Sequence, residues 1–266
     1  IKKKNSGKKI NINYQDNPGD DKTAAVSAIH NFKNQGIELI IGTTWSGSAL
    51  AVAPIACNNH MLMVAPGIGV KEFEQECDYI FSLWMADEDI SKLLGKKIYG
   101  DGHRTLAILG SQQAWEVIQA SSVKEGFIGA GGKVVVYELS TPEQKDFKTE
   151  ILKIKQSKPD AIFSQYIYQD LIAKQLKQAN IGLPIYVELI DEGRVKNAEG
   201  ALEGAIATSQ ISPTPEFINK FQTEYAEPLS LGAENGYDAV MLIADAINKT
   251  GSTDPTVLKE YIKTVK

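Results

Sequence analysis

Short apolar runs alternate with longer amphipathic segments from the beginning of the chain to its end. In the longer segments apolar residues recur at the spacing of one helix face, whereas the short runs are continuous, as in buried strands. This alternation is typical of an α/β protein with parallel sheets. The predicted strands lie near Ile10 to Tyr14, Leu39 to Ile41, Met61 to Val64, Ile80 to Leu83, Leu106 to Leu109, Val134 to Tyr137, Ala161 to Phe163, Ile185 to Val187 and Ala205 to Thr208.

The first amphipathic segment illustrates how the helices are delimited. Asp21 is placed to cap the helix N-terminus, and Gly36 stands where a left-handed C-terminal residue belongs. Between them Ala25, Ile29 and Phe32 share one face. The sequence therefore predicts a helix that packs this face against a sheet.

Two glycine-rich loops follow neighbouring predicted strands. Residues 42–48 open an alanine-rich helix that begins at Ser48, so its free N–H groups and positive dipole end should face whatever lies above Ser46. Residues 66–69 let the backbone approach a ligand without side chains in the way. Together the loops predict one pocket that accepts a carboxylate or a phosphate. The alternatives are that Ser46 only caps a helix and that Gly67 and Gly69 only form a tight turn.

Composition narrows the class of protein. A hydrophobic content of 43% is ordinary for a soluble globular protein, and 266 residues are enough for one large domain or two smaller ones. The formal charge of -5 gives no general attraction to nucleic acid or to an anionic membrane. No run approaches the length of a membrane span, and a processed signal peptide would leave no trace in this sequence. A local basic cluster is expected to be a solvated, frayed end and comprises Lys2, Lys3, Lys4, Lys8 and Lys9.

The sequence contains none of the common catalytic motifs that would indicate an enzyme. The sequence has no Gly-x-Ser-x-Gly elbow, no Walker loop and no Cys-His pair at a catalytic spacing. His30, His60 and His103 are scattered over different elements, so we expect neither a metal site nor a cofactor. Cys57 and Cys77 flank the second glycine-rich loop, and they are either a disulfide in an oxidising compartment or two buried thiols.

Two interruptions of the pattern predict two lobes. The strand near Phe81 continues into a polar helix start at Asp87, and residues 211–215 contain two prolines. We expect residues 1–86 with 212–266 to form lobe 1, and residues 87–211 to form lobe 2.

Motifs along nearly the whole chain occur in a characteristic order. They are residues 14–20, Ile41-Gly42 with residues 46–48, Ala65-Pro66, Phe81 with Asp87, Ile108-Leu109 with Ala114-Trp115, residues 158–163, Glu203-Gly204 and residues 236–240. In this order and spacing they resemble the type I periplasmic solute-binding proteins of branched-chain amino acid (Leu/Ile/Val) ABC transporters. Each motif alone is weak, and the resemblance rests on all of them together.

The resemblance implies two Rossmann-like lobes with parallel sheets, joined by hinge strands, that close on a small ligand such as an amino acid or related carboxylate. It implies a non-enzymatic, periplasmic or lipid-anchored component of an ABC importer, with a membrane permease as partner. Family members extend beyond both ends of this sequence, so we expect the natural product to be longer. A ligand-sensing receptor or regulator domain of the same fold is the alternative, because the fold does not separate transport from sensing.

On lobe 1 the resemblance places the hydroxyl of Ser46 on the ligand carboxylate, with main-chain groups of Gly67 and Gly69 beside it. The family often has Thr where Gly69 stands, so one hydroxyl is lost in this chain. Trp45 and Trp84 are further aromatic residues near the expected mouth and hinge. We therefore expect the pocket to favour a flat or bulky ligand.

On lobe 2 the resemblance places Trp115 where the family commonly has a Tyr in the cleft. Ile167 falls where another Tyr is usual, next to Tyr166. Asp191 matches the acidic residue that pairs with the ligand ammonium, and Glu192 is the alternative for that role.

Overall fold

The structure is a computed structural model that describes residues 10–208, 213–227, 229 and 231–265. The basic cluster expected to be a frayed end lies outside these residues. Two compact units divide the chain, Ile1–Ala86 with Leu231–Lys266 as unit 1 and Asp87–Ser230 as unit 2. The first boundary is the one expected from sequence, whereas residues 212–230, expected in lobe 1, are grouped with unit 2. That the two units act as lobes stays a prediction.

Helices and strands alternate from residue 22 to residue 208, as the sequence pattern predicts, whereas the described residues after this range form helices with no strand between them. The elements are α1 (Lys22–Asn34), β1 (Leu39–Ile41), α2 (Ser46–Asn58), β2 (Leu62–Ala65), α3 (Lys71–Gln75), β3 (Ile80–Ser82), α4 (Asp87–Gly100), β4 (Thr105–Ser111), α5 (Ala114–Gly129), β5 (Lys133–Ser140), α6 (Lys148–Ser157), β6 (Ala161–Ser164), α7 (Gln169–Gln178), β7 (Ile185–Glu188), α8 (Glu192–Asn197), β8 (Ile206–Thr208), α9 (Pro215–Tyr225), α10 (Ala233–Thr250) and α11 (Pro255–Ile262).

Unit 1 is built on a parallel sheet with the strand order β1-β2-β3. Leu62 and Val64 on the central strand pack against Ala239 and Ile243 of α10, which closes one face of the sheet. The predicted limits of α1 are confirmed, because Asp21 accepts hydrogen bonds from the second and third residues after it and Gly36 has a φ of 69°.

The predicted strand at residues 10–14 is wrong. These residues form no ladder in the structure, and Ile12 and Tyr14 are 52% and 81% exposed. A strand exists only when its backbone groups pair with a neighbouring strand. An alternation of apolar and polar residues cannot by itself supply that partner.

Unit 2 is built on a parallel sheet with the strand order β5-β4-β6-β7-β8. On one face Phe163 packs with Leu94 of α4 and Phe127 of α5. On the other face Ile162 packs with Ile151 of α6 and Ile172 of α7. Covering both faces with helices explains why these strands are continuous apolar runs in the sequence. The α/β fold with parallel sheets is confirmed.

The strand order of unit 2 contains a switch point. After β4 the chain moves outward to β5 and then returns to β6 on the other side of β4. In an open parallel sheet the loops that follow two such strands diverge, and the crevice between them at the carboxyl ends is where ligands bind. The loops after β4 and β6 are therefore the first place to look for a site in unit 2.

Candidate ligand-binding site

The N-terminus of α2 already holds a carboxylate in the structure. The helix begins at Ser46, two residues before the start expected from sequence. The preceding residue, Trp45, is the N-cap, and its side chain makes no capping hydrogen bond. Instead Oδ1 of Asp20 accepts a hydrogen bond of 2.6 Å from the amide of Ser48. The carboxylate lies directly over Gly47, where an added Cβ would be 2.2 Å from Asp20 Oδ2. The expected anion-binding end of the helix is thus real, and its occupant is a side chain of the same unit.

Two hydroxyls of the first glycine-rich loop, those of Thr43 and Ser48, are used within the loop. Ser48 Oγ hydrogen-bonds Thr43 Oγ1 at 3.1 Å and the carbonyl of Trp45 at 3.0 Å. Ser46 itself is buried in the first turn of α2, at 2% exposed. Its place beside the helix terminus agrees with a ligand role, and that role stays a prediction.

The second glycine-rich loop is braced from α10. Asn235 donates to the carbonyl of Pro66 at 2.9 Å and to that of Leu83 at 3.4 Å. Gly67 is half-buried, and a Cβ there would lie 3.4 Å from the carbonyl of Thr44 in the first loop. Unit 1 therefore brings the two loops together, as the sequence predicts. Gly69 is buried in the same segment.

The two tryptophans expected in lobe 1 are both half-buried. Trp45 precedes α2, and Trp84 follows β3 with its ring 3.8 Å from the position that a Cβ on Gly232 would take. Their assignment as ligand contacts stays a prediction.

At the switch point of unit 2 an aromatic pair and an acid lie together. Trp115 lies in the first turn of α5, which follows β4, and Tyr166 follows β6; their ring centroids are 6.4 Å apart. The phenol of Tyr166 donates to Asp191 Oδ2 over 2.5 Å. Burial, followed by this hydrogen bond, raises the pKa of Tyr166 to about 12, so the phenol stays protonated and donating. Three of the residues predicted from sequence thus lie together, with Trp115 buried at 8% exposed and with Tyr166 and Asp191 half-buried.

Arg194 contacts both Tyr166 and Asp191. Its guanidinium stacks 4.7 Å from the centre of the Tyr166 ring, and it donates to the carbonyl of Ile167 at 3.0 Å and to Asp170 at 2.9 Å. Asp191 caps α8 by accepting from the amide of Arg194 at 2.8 Å. Both carboxylate oxygens of Asp191 therefore have a fixed direction, whereas Glu192 is exposed.

Two buried carboxyl groups lie at the same edge of the unit 2 sheet. Glu116, 0% exposed, accepts from the hydroxyl of Ser111 and from the amide of Ile167, and burial raises its pKa to about 7. Glu188 at the end of β7 accepts from the hydroxyl of Ser91 at 2.6 Å. Burial, with a smaller contribution from the charge of Asp87, raises its pKa to about 8. A carboxyl group transferred from water into an apolar interior favours the neutral form.

The structure joins Cys57 at the end of α2 to Cys77, which closes a loop across a sequence separation of 20. The bridge encloses β2 and the second glycine-rich loop within one covalent ring. Of the two alternatives that the sequence left open, the structure contains the disulfide.

Among the described residues no group of three or more His, Cys, Asp or Glu side chains is arranged to hold a metal ion. Within the same part of the chain, no helix combines the length and the apolar character needed to cross a membrane.

Residues 2–266 match the family model described as periplasmic binding protein. The chain belongs to the periplasmic binding protein family. Proteins of this family bind and deliver solutes and are not enzymes. Leu/Ile/Val-binding protein homolog 2 of Brucella abortus is 28% identical over 275 residues, which cover 96% of this chain and 72% of that protein.

Two solved periplasmic binding proteins share the fold. A leucine-binding protein from Thermotoga maritima superposes with a TM-score of 0.84 at 23% identity, covering 92% of this chain and 74% of that one. A solute-binding protein of an ABC transporter from R. palustris, in complex with 4-hydroxybenzoate, has a TM-score of 0.84 at 20% identity, covering 92% and 72%. At these identities the likeness establishes the fold.

Several residues that contact the candidate site residues were not predicted from the sequence. Asp20 was not expected at the α2 terminus, and Glu116, Gln165 and Arg194 were not expected around the aromatic pair. Glu116 directly follows Trp115, and an acid inside an otherwise apolar helix start was the available signal. No signal in the sequence links Asp20 to Ser48, which lies 28 residues away.

Proposed function

We propose that this periplasmic binding protein captures an amino acid or a related small carboxylate for an ABC importer outside the cytoplasm. The observation that carries the proposal is the cluster of Trp115, Tyr166 and Asp191 at the switch point of unit 2. Aromatic rings supply flat apolar contact area, and a carboxylate with fixed direction supplies an acceptor for a ligand ammonium. The names of the relatives, which include leucine-binding and 4-hydroxybenzoate-bound proteins, support the same class of ligand.

In this proposal Ser46 and the main chain at Gly67 and Gly69 hold the ligand carboxylate, since free N–H groups and a helix dipole favour negative charge. Asp20 then has to leave the α2 terminus or share it with the ligand. The membrane partner is the permease of the importer, as the family implies.

A thermal-shift screen tests the proposed ligand class. The probes are L-leucine, L-isoleucine, L-phenylalanine, benzoate and 4-hydroxybenzoate. A probe at a hundredfold excess over its Kd stabilises the native state by about 2.7 kcal/mol, which moves a melting curve by several degrees. Calorimetry then gives the affinity of each hit. If all five probes leave the melting curve unchanged, the proposed ligand class is wrong.

The transport role is tested separately in the source cell. Deleting the coding sequence should abolish high-affinity uptake of the ligand that the screen identifies, and restoring it should recover uptake. Uptake that continues unchanged in the deletion strain would instead favour a sensing role.

A further inference from the structure

Glu116 connects the two loops that carry the aromatic pair. It lies in the first turn of α5, directly after Trp115, and is completely buried. One carboxylate oxygen accepts from the amide of Ile167, 3.1 Å away in the loop after β6. The other accepts from the hydroxyl of Ser111, which also accepts from the amide of Gln113 at 3.2 Å. A single side chain thus binds the turn before Trp115 and the backbone after Tyr166.

Gln165 makes the reciprocal connection from the other loop. Its amide nitrogen donates to the main-chain carbonyl of Glu116, and its amide oxygen accepts from the amide of Ser111 at 3.1 Å. The side chain packs so closely on β4 that a Cβ on Gly110 would lie 1.7 Å from Gln165 Oε1. Each loop therefore holds the backbone of the other through a completely buried side chain.

We propose that Glu116 is a positioning residue of the ligand site: it sets the separation of the Trp115 and Tyr166 rings by holding their two loops in register. The consequence for ligand affinity rests on the proposed function, whereas the effect on the rings does not. Glu116 acts through the backbone of Ile167 and the turn at Ser111.

A change of pH should alter the hydrogen bonds that Glu116 makes to the two loops. An ionised carboxylate accepts a stronger hydrogen bond from the Ile167 amide than a neutral carboxyl group does. Burial raises the pKa of Glu116 to about 7, opposed by the hydrogen bonds from Ser111 and Ile167 and by the positive charge of Arg194. The phenol of Tyr168 donates to the carbonyl of Thr141, and burial, followed by the negative charge of Glu116, raises its pKa, so it stays neutral. Acidification through pH 7 should therefore loosen the loop after β6.

The test uses the fluorescence of Trp115 without a ligand. Replacing Trp45 and Trp84 by Phe leaves Trp115 as the only tryptophan of the chain. Its emission should change in one transition near pH 7 between pH 5.5 and pH 8.5. Glu116→Gln keeps a carbonyl acceptor but cannot ionise, so this variant should give a flat profile. Glu188→Gln removes the other buried carboxyl group of the sheet edge and should keep the transition, which makes it the matched control.

Calorimetry on the chain with its native tryptophans then measures the affinity for a ligand. With L-leucine or 4-hydroxybenzoate, the affinity of the parent should be about tenfold higher at pH 8.5 than at pH 5.5, and that of Glu116→Gln should be the same at both. A fluorescence transition that persists in Glu116→Gln, or that is absent from the parent, overturns the proposal. If the transition depends on Glu116 and neither probe binds, Glu116 does position the rings, and the proposed ligand class is wrong.

Discussion

Asp20 Oδ1 lies 2.6 Å from the amide nitrogen of Ser48, so the chain supplies its own carboxylate to the N-terminus of α2. The contact satisfies a backbone N–H that no intrahelical carbonyl can reach. It also places negative charge at the positive end of the helix dipole. A ligand carboxylate bound through Ser46 would meet Asp20 at close range, and the two would compete.

Asp20→Ala should have opposite effects on stability and on binding. Loss of the cap should lower the free energy of unfolding by about 1 kcal/mol. Loss of the competing charge should tighten the binding of a carboxylate ligand by roughly tenfold, or about 1.4 kcal/mol. Urea unfolding measures the first effect and calorimetry the second.

Asp21→Ala is the matched control, since Asp21 caps α1 through the amides of Thr23 and Ala24 at 2.8 and 3.0 Å. It should lower stability by a similar amount and leave ligand affinity unchanged. If Asp20→Ala and Asp21→Ala bind the ligand equally well, the carboxylate of the ligand is held elsewhere and the assignment of Ser46 is wrong.

Asp191→Asn should discriminate between ligands with and without an ammonium group. A hydrogen bond to a charged group contributes about 1.5 to 3 kcal/mol, so the affinity for an amino acid should fall by roughly tenfold or more. The affinity for benzoate or 4-hydroxybenzoate should change little, because these ligands offer no ammonium. Calorimetry with both classes of ligand decides the matter.

Glu192→Gln provides the comparison for that experiment. Glu192 is exposed and adjacent to Asp191, so the two variants remove the same charge one residue apart. A loss of amino-acid affinity in Glu192→Gln, with none in Asp191→Asn, would transfer the ammonium contact to Glu192.

Glu188 should make the stability of unit 2 fall as pH rises. Its pKa is about 8 in the folded state and 4.5 in the unfolded reference, so the folded state binds more protons between these values. The free energy of unfolding then decreases with pH through this window and levels off above it, by a total on the order of a few kcal/mol. Glu188→Gln cannot ionise and should lack this contribution.

The measurement is urea unfolding of Glu188→Gln and parent at pH 5, 7 and 8.5. The difference in stability should shift in favour of the variant as the pH rises. Glu192→Gln, which removes an exposed carboxylate, should run parallel to the parent. A constant difference between Glu188→Gln and the parent at all three pH values would mean that Glu188 is ionised throughout.

Reduction of the Cys57–Cys77 bridge should destabilise unit 1. For a loop of this length the chain-entropy model gives a loss of about 3 kcal/mol. Cys57→Ser with Cys77→Ser should unfold at lower urea concentration than the parent, and a reducing agent should have no further effect on it. Two titratable thiols in the denatured, unreduced parent would show that the bridge is absent.

The strands of both sheets were predictable because their burial leaves a mark in the strand's own sequence, a continuous run of apolar residues. A strand such as β6, covered on both faces by helices, has to be apolar at every position, and the sequence displays this directly. At residues 10–14 the prediction of a strand failed, because an alternating pattern specifies an apolar face but cannot specify a neighbouring strand.

The site was predictable only in part, for a similar reason. Trp115 and Asp191 came from positions that a family resemblance marks, and Tyr166 came from its place next to the marked position of Ile167; the switch point of the sheet brings the three together. Glu116 and Asp20 owe their roles to partners far along the chain, Ile167 and Ser48. Hydrophobic periodicity carries no information about such contacts.

The brace from Asn235 to Pro66 has a consequence for how the chain is made. Its two ends are 169 residues apart, and all of unit 2 is synthesised between them. Domains generally fold as units during synthesis, beginning with the segments that emerge first. Unit 2, which is continuous in sequence, can complete its fold as soon as it emerges, whereas the first segment of unit 1 has to wait with its sheet face uncovered until α10 arrives. During that interval Leu62 and Val64 lack the apolar partners on α10 that bury them in the finished fold.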